Sequence, residues 1–424
     1  MIAFLLISFF VLIAVGVPIA MSLGLAAMGG ILFIDGGSMV TVGQRVFEGM
    51  NSFALLAIPL YTFAGFTMSK GGISKRLMGF CYALVGRFTG GLAHVNVLSS
   101  MVFAGISGSA VADTAGVSGM IMPEMVKKGY SKKLTVAVTA ISSTIGIVIP
   151  PSIPMVVIAG ILGVSTGKLF LGGIIPGILL GIAQMLVAYF MAKKEGIPRE
   201  EGKFDIKEIL RTGFSSLPAL LMPIIIIGTI ISGIVSPTEA GAIAVVYGLV
   251  AGGLVYRELR LSDIINSMIE TAKTSGKIFI VIGAAKLYTV MLTTAGFDRW
   301  VTNTLLNITT NPTIILIIIL SIFFFVTMFM ESIATLTLFM PVVYPIAVAV
   351  GIDPIVLSVL ITVVIGLGLV TPPVGMCIYV ACDLMNIRVG QVMRTLMPFL
   401  IATIIVIIIL IMFPQLILWP ASLI

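Results

Sequence analysis

The residues most able to do chemistry gather in a few short stretches. One is Ala104-Gly-Ile-Ser-Gly-Ser-Ala-Val-Ala-Asp113-Thr-Ala-Gly-Val-Ser118, where a carboxylate stands among glycines and small hydroxyl residues. Another is Ser142-Ser-Thr-Ile-Gly146-Ile-Val-Ile-Pro150-Pro151-Ser-Ile-Pro154, whose prolines cannot continue a helix. Unwinding there frees the carbonyls just before Pro150. Carbonyls beside hydroxyls suit a hard cation such as sodium, while the N-terminus of a following half-helix suits an anion. Glu331-Ser-Ile-Ala-Thr-Leu-Thr337 and Gly366-Leu-Gly-Leu-Val-Thr-Pro-Pro373 repeat the arrangement later in the chain. Two cation sites related by pseudosymmetry are therefore expected.

Asp113 carries the most weight among these residues. A carboxylate at membrane depth is costly unless paired or solvated, which makes it a functional candidate; an internal helix cap is the structural alternative. The nearby glycines are equally explained by close helix packing. Ser236-Pro-Thr-Glu239 fits a capping box with proline at the first helical position, which gives Glu239 a structural role. His94 has no metal-ligand neighbours, Lys286 is either buried or reaches a polar cavity, and Asp383 suits a crevice, a cap or a gate. Cys81, Cys377 and Cys382 lack metal or disulfide spacing and are expected as small core packers. The sequence has no Walker loop and no zinc-type cluster, so a gradient rather than ATP must supply energy.

The elements that hold these residues must lie in lipid. Hydrophobic residues make up 59% of the 424 positions and charged residues 10%, and mean hydropathy is +1.22. Apolar runs without strand alternation make the spans helical, and the fold all-α. Spans are predicted over 1–34, 52–69, 132–163, 168–192, 214–234, 238–255, 274–294, 354–386 and 390–418. The first lacks the marks of a cleaved signal and is expected to be retained. Segments 91–122 and 312–348 have polar or small-residue centres and read as re-entrant hairpins. Segments 73–89 and 262–273 are too polar to span and are expected along an interface; 193–213 is expected as a linker.

Five clusters hold about 20 of the 24 Lys and Arg residues, at 70–87, 127–133, 193–211, 257–277 and 388–394. Threading the spans and hairpins puts all of them on one side, the cytoplasm by the positive-inside rule. The N-terminus then lies inside and the C-terminus outside. Pro150-Pro151 recurs as Pro372-Pro373 and Pro176 as Pro398, both at an offset of 222, and Met68 and its neighbours resemble the run from Leu292 at 224. Inverted repeats with interrupted spans at matching positions point to a secondary transporter with a midplane site.

Leu56-Ala-Ile-Pro-Leu-Tyr, Ser107-Gly-Ser-Ala-Val-Ala-Asp-Thr, Pro150-Pro-Ser-Ile-Pro, Ser236-Pro-Thr-Glu-Ala-Gly and Leu367-Gly-Leu-Val-Thr-Pro-Pro together resemble one family. It is the large membrane subunit of tripartite ATP-independent periplasmic (TRAP) transporters, and the similarity spans essentially the whole chain. The resemblance implies an elevator mechanism, two or more coupling sodium ions, a small four-helix membrane partner and a periplasmic substrate-binding protein in the bacterial inner membrane. Nucleic acid is not an expected partner. The implied domains are scaffold helices and a first amphipathic arm in 1–90, and half of a transport domain in 91–192. A linker, more scaffold and a second arm occupy 193–311, and the other transport half 312–424.

Carried onto this sequence, sodium is expected at Ser107, Gly108, Gly146, Ile149 and Pro151, and at Ser332, Gly366, Val370 and Thr371. The substrate, an organic acid such as a C4-dicarboxylate or a sialic acid, is expected near Ser107, Ser109, Asp113, Ser152, Thr335 and Pro373. A stand-alone sodium/carboxylate symporter is the alternative. An intramembrane enzyme built on Asp113 or Asp383 lacks paired motifs on adjacent spans, and a passive channel would not need closed hairpins.

Overall fold

A computed structural model describes residues 1–32, 39–197, 199 and 205–424, with the side chains of residues 117, 118, 305, 306 and 308 outside the description. The end of the predicted first span and, in the linker, Pro198 with Glu200 and Glu201, fall outside the described residues. The described chain is helical throughout, as expected of an all-α membrane protein.

The first predicted span is not one helix. Helix α1 (Ile2–Ala14) and helix α2 (Ile19–Gly30) are joined by a turn at Gly16, whose φ is 90°, with Pro18 ahead of α2. Glycine past a helix end takes this left-handed conformation without penalty, and the proline stops any continuation. Gly29 and Gly30 lie against Phe4 and Leu5, so the two arms run antiparallel. Next, α3 (Met39–Met50) passes through a tight turn at Ala54–Leu56 into α4 (Ala57–Lys70), bending by 63°. The expected interfacial arm follows as α5 (Ile73–Val85), which buries Ile73, Leu77 and Cys81 at helical spacing.

A hairpin of α6 (Gly91–Ser107) and α7 (Ala110–Lys127) comes next. It is followed by the interrupted pair α8 (Lys132–Ser143) and α9 (Ile153–Leu162), and then by the long α10 (Thr166–Lys194). Beyond the linker lie α11 (Ile206–Ile231), α12 (Pro237–Val250) with a π-helical extension, and α13 (Leu261–Thr294). Here the expectation of a surface segment at 262–273 separate from a span fails. With no proline to stop it, α13 runs unbroken for 34 residues.

Helix α14 (Phe297–Ile308) begins 224 residues after α5, the offset already seen at Leu292, so it rather than 262–273 is the repeat counterpart of α5. A second hairpin, α15 (Pro312–Thr327) and α16 (Ser332–Ala349), leads to the second interrupted pair, α17 (Pro354–Gly368) and α18 (Met376–Met385). The chain closes with α19 (Val389–Met412) and α20 (Gln415–Ala421). Among the described residues six helices are individually long and apolar enough to cross a membrane, and the bent α3–α4 pair adds a seventh.

The centre of the molecule is made by the leading halves of the two interrupted helices. Every residue of α8 from Leu134 to Ser143 is buried, as is every residue of α17 from Ile355 to Gly368. A helix that is apolar all round, as α17 is, suits lipid or a protein core alike, and here protein surrounds it. The halves interlock crosswise: α8 packs on α19 and α17 on α10, while α7 packs on α18 and α16 on α9. Around them α4, α12 and α13 form a frame, with α2 and α3 against α13.

Candidate functional site

The tip of the first hairpin is built around Gly108, which ends α6 with φ 63°. Its carbonyl accepts a hydrogen bond from the Ile153 amide at 3.3 Å, joining the tip to the start of α9. A side chain at 108 would strike the Pro151 carbonyl, so glycine allows both the turn and the approach. Ser109 caps α7, accepting from the Ala112 amide at 3.4 Å. Asp113 follows in the first turn of α7 and is 2% exposed. Ser107 Oγ donates to Asp113 Oδ1, but Oδ2 has no hydrogen-bond partner.

That free oxygen faces Gly146, in the tight turn that ends the α8 limb; a Cβ there would overlap it. The glycine thus admits a carboxylate to the interrupted backbone. Thr114 Oγ1 and Ser143 Oγ meet at 2.6 Å beside it, continuing the link between hairpin and interrupted helix. Ser152 caps α9 through the Met155 amide at 3.3 Å and donates to the Ile147 carbonyl, bridging the break from within.

The second half forms the same joint. The Val374 amide, directly after the proline pair, donates to the Met328 carbonyl at 2.9 Å, as the Ile153 amide, two residues after the first pair, does to Gly108, so a backbone bond again ties the hairpin tip to the break. Both pairs, Pro150-Pro151 and Pro372-Pro373, are cis. Glu331 caps α16, accepting from the amides of Ile333 at 3.1 Å and Ala334 at 3.3 Å, and Ser332 Oγ donates to it at 3.1 Å. Thr335 Oγ1 donates to the Glu331 carbonyl at 3.1 Å and Thr371 Oγ1 to the Leu367 carbonyl at 2.7 Å. Gly366 packs against Thr144, so the two interrupted helices touch at their breaks.

A cavity of about 890 Å³ lies between these tips and the frame. Both hairpin tips line it, with faces of α4 and α13, the start of α2 and the start of α5. Of the residues expected at the site, Ser107, Gly108, Ser109, Asp113 and Ser332 reach it. Gly146, Ile149, Pro151, Gly366, Val370 and Thr371 do not line it. They lie in the interrupted segments behind the tips, where Gly146 and Val370 are buried.

Three expected substrate contacts do not line the cavity. Ser152 is fully buried and engaged inside the first break, Thr335 is fully buried with its hydroxyl on the helix backbone, and Pro373 lies outside the lining. Hydroxyl type and spacing were sound guides to the tips but could not tell a cavity-facing hydroxyl from one satisfied locally.

Sequence reasoning also missed residues. Glu331, at the head of the second hairpin motif but outside the expected ligand sets, lines the cavity. Lys277, which the sequence places in the basic cluster 257–277, lines the cavity together with Thr274, Ile278 and Val281. The polar run Thr274-Ser-Gly-Lys, where the polar start of α13 meets its apolar remainder, is the available signal. The candidates set aside have structural surroundings: His94 bonds to the Thr89 carbonyl at 3.2 Å, Lys286 packs on Gly49, and Asp383 is exposed. The capping box at Ser236 and Glu239 is present as read from the sequence.

The electrostatics around Asp113 favour a positive charge. Asp113 Oδ2 is a buried acceptor without a donor, and such a group is stable only if something positive or hydrogen-bonding meets it. Residues around it therefore fit a small cation. Among the described residues no three His, Cys, Asp or Glu side chains converge, so such a cation would rest on one carboxylate with carbonyls and hydroxyls. Glu331 differs, since three donors already satisfy its carboxylate.

Comparison with known proteins gives a consistent result. The family model described as "Tripartite ATP-independent periplasmic transporter, DctM component" matches residues 6–416. The uncharacterized protein YgiK of Salmonella typhimurium is 37% identical over 96% of this chain and 94% of its own. The isethionate TRAP transporter permease protein DctMQ of Oleidesulfovibrio alaskensis is 35% identical over 92% of this chain, which spans 61% of that longer protein. The C4-dicarboxylate TRAP transporter large permease protein DctM of Pseudomonas aeruginosa is 35% identical over 92% of this chain and 91% of its own. Among solved structures, the YdaH transporter of Alcanivorax borkumensis has a TM-score of 0.67 at 14% identity, covering 92% of this chain and 91% of its own, a likeness of fold alone.

Proposed function

Because the chain belongs to the DctM component family of tripartite ATP-independent periplasmic transporters, and is a multi-pass permease of that family, we propose that it imports a small organic-acid anion by sodium coupling. The observation that carries this reading is the cavity that places the unpartnered Asp113 carboxylate oxygen at one hairpin tip, opposite a second tip of similar build. The relatives named for isethionate and for C4-dicarboxylates differ in headgroup but share acidic character, which supports an organic acid as the substrate class.

In this reading sodium supplies positive charge at the first hairpin. Ser107, Gly108 and Asp113 would hold it from the hairpin side, with the interrupted backbone at Gly146 behind them. Ser332 and the backbone around Gly366 to Thr371 form the pseudosymmetric counterpart. The acid lies in the cavity between the tips. Because each tip is tied to its own interrupted helix by a backbone bond, hairpin and break move as one unit against the frame of α4, α12 and α13, the motion of an elevator. The basic clusters support a cytoplasmic face for residues 70–87, 127–133, 193–211, 257–277 and 388–394 and a C-terminus outside, whereas the antiparallel α1–α2 pair removes the single crossing on which a cytoplasmic N-terminus rested. A small four-helix subunit and a periplasmic binding protein complete the transporter, and the longer length of DctMQ fits a partner fused to the same chain there.

The test is reconstitution in liposomes with the small subunit and binding protein, measuring uptake of isethionate, succinate and a sialic acid with and without an inward sodium gradient. Uptake that needs all three components and sodium is expected. Uptake by this chain alone would establish a stand-alone symporter instead.

A further inference from the structure

We infer that Lys277 on α13 is the anion-recognising residue of the cavity, contacting the carboxylate or sulfonate group of the transported acid; this rests on the transport reading above. Charged side chains lining the cavity are Asp113, Glu331 and Lys277, so among the described residues Lys277 is the only cation there. Its position on the helix supports a cavity-facing orientation. Thr274 and Val281, about one helical turn before and after it on the same face, line the same space, as does its neighbour Ile278.

The ammonium is uncommitted. No ion pair involves Lys277 among the described residues, although Lys70 and Glu270 pair at 3.5 Å nearby on α4 and α13. With both carboxylates ionised, two acids and one lysine leave the cavity net negative, and an acid anion entering it meets repulsion from Asp113 and Glu331. Sodium at the hairpin offsets one of these; Lys277 offsets the other and gives the headgroup a donor. A lysine, as a compact point charge with three rotatable donors, accepts carboxylate and sulfonate alike, which suits a family whose members are named for both.

The residue also stands on the frame rather than on a hairpin. Contact with the acid is therefore made where the cavity abuts α13 and is lost when the hairpins move away, so Lys277 sets affinity in this state more than the rate of movement.

The experiment uses the reconstituted complex and whichever of isethionate, succinate or sialic acid the wild type transports. Lys277→Met, which keeps the length of the side chain, is expected to raise KM about tenfold or more with maximal rate within about threefold, and Lys277→Arg to restore most of the affinity. An unchanged KM, or a fall in maximal rate alone, overturns the inference. A second measurement needs no variant: the transported acid should slow amine acylation of wild-type Lys277, read by mass spectrometry against Lys70 and Lys286. Equal labelling with and without the acid also overturns it. Absence of wild-type uptake of all the acids would instead count against the transport reading itself.

Discussion

The two hairpins are built to one plan and place their carboxylates differently. In the first, the cap of α7 is the hydroxyl of Ser109, and Asp113 stands one turn further in, with one oxygen bound by Ser107 and the other facing Gly146 alone. In the second, the carboxylate is itself the cap: Glu331 receives two backbone amides and the Ser332 hydroxyl. Moving an acid from the cap position to the interior turns a structural acceptor into an open one. Repetition of the fold therefore does not imply repetition of the chemistry, and of the two carboxylates only that of the first hairpin keeps an oxygen without a donor.

The largest expected contrast comes from removing the two charges. Asp113→Asn should lower sodium-dependent uptake roughly 100-fold, since it deletes an uncompensated charge facing the break, whereas Glu331→Gln, which keeps an acceptor for the amides, should lower it less than about tenfold. Equal losses would erase the distinction between the halves.

The glycines opposite the hairpins sharpen it. Gly146→Ala puts a methyl group where Asp113 Oδ2 lies and should weaken sodium activation about tenfold or more, read as a rise in the half-saturating sodium concentration. Gly366→Ala meets the Thr144 Cβ at 3.2 Å, with Ile147 Cδ1 and the Thr144 carbonyl in ordinary contact at 3.5 Å, a crowding that a small shift relieves, and should change that concentration less than about threefold.

Smaller effects fall on stability. Glu331→Ala removes the acceptor for two helix amides and should cost about 1 kcal/mol, seen as a drop of about 1–2 °C in the melting temperature of the purified protein. Ser109→Ala removes a single long cap bond, 3.4 Å, and should cost about 0.5 kcal/mol, near the limit of such a measurement.

Much of this architecture was legible in the residues. Proline pairs at an offset of 222 marked both interrupted helices, and Gly108 between serines marked a hairpin tip. Less legible were features that depend on what stops a helix and what does not. Gly16 and Pro18 turned an apparent span into two short antiparallel arms, while the polar start of α13 continued straight into its apolar remainder. Hydropathy measures what a segment dissolves in, whereas helix continuity depends on backbone geometry at one or two positions.

By itself the sequence determined the solvent, the helical class, the internal repeat and the family, because each follows from composition or from local patterns that act over a few residues. Tertiary structure decided which polar groups are free. Ser152 and Asp113 are both buried and both polar, yet one is satisfied within its own break and the other has an oxygen left over. That difference arises from the approach of α7 to the end of the α8 limb, residues 33 apart in the chain at Asp113 and Gly146, and no local pattern encodes such a meeting. The same holds for Lys277, whose charge was visible from the start and whose place on the wall of the cavity was fixed only when α13 packed against α4 and the hairpin tips.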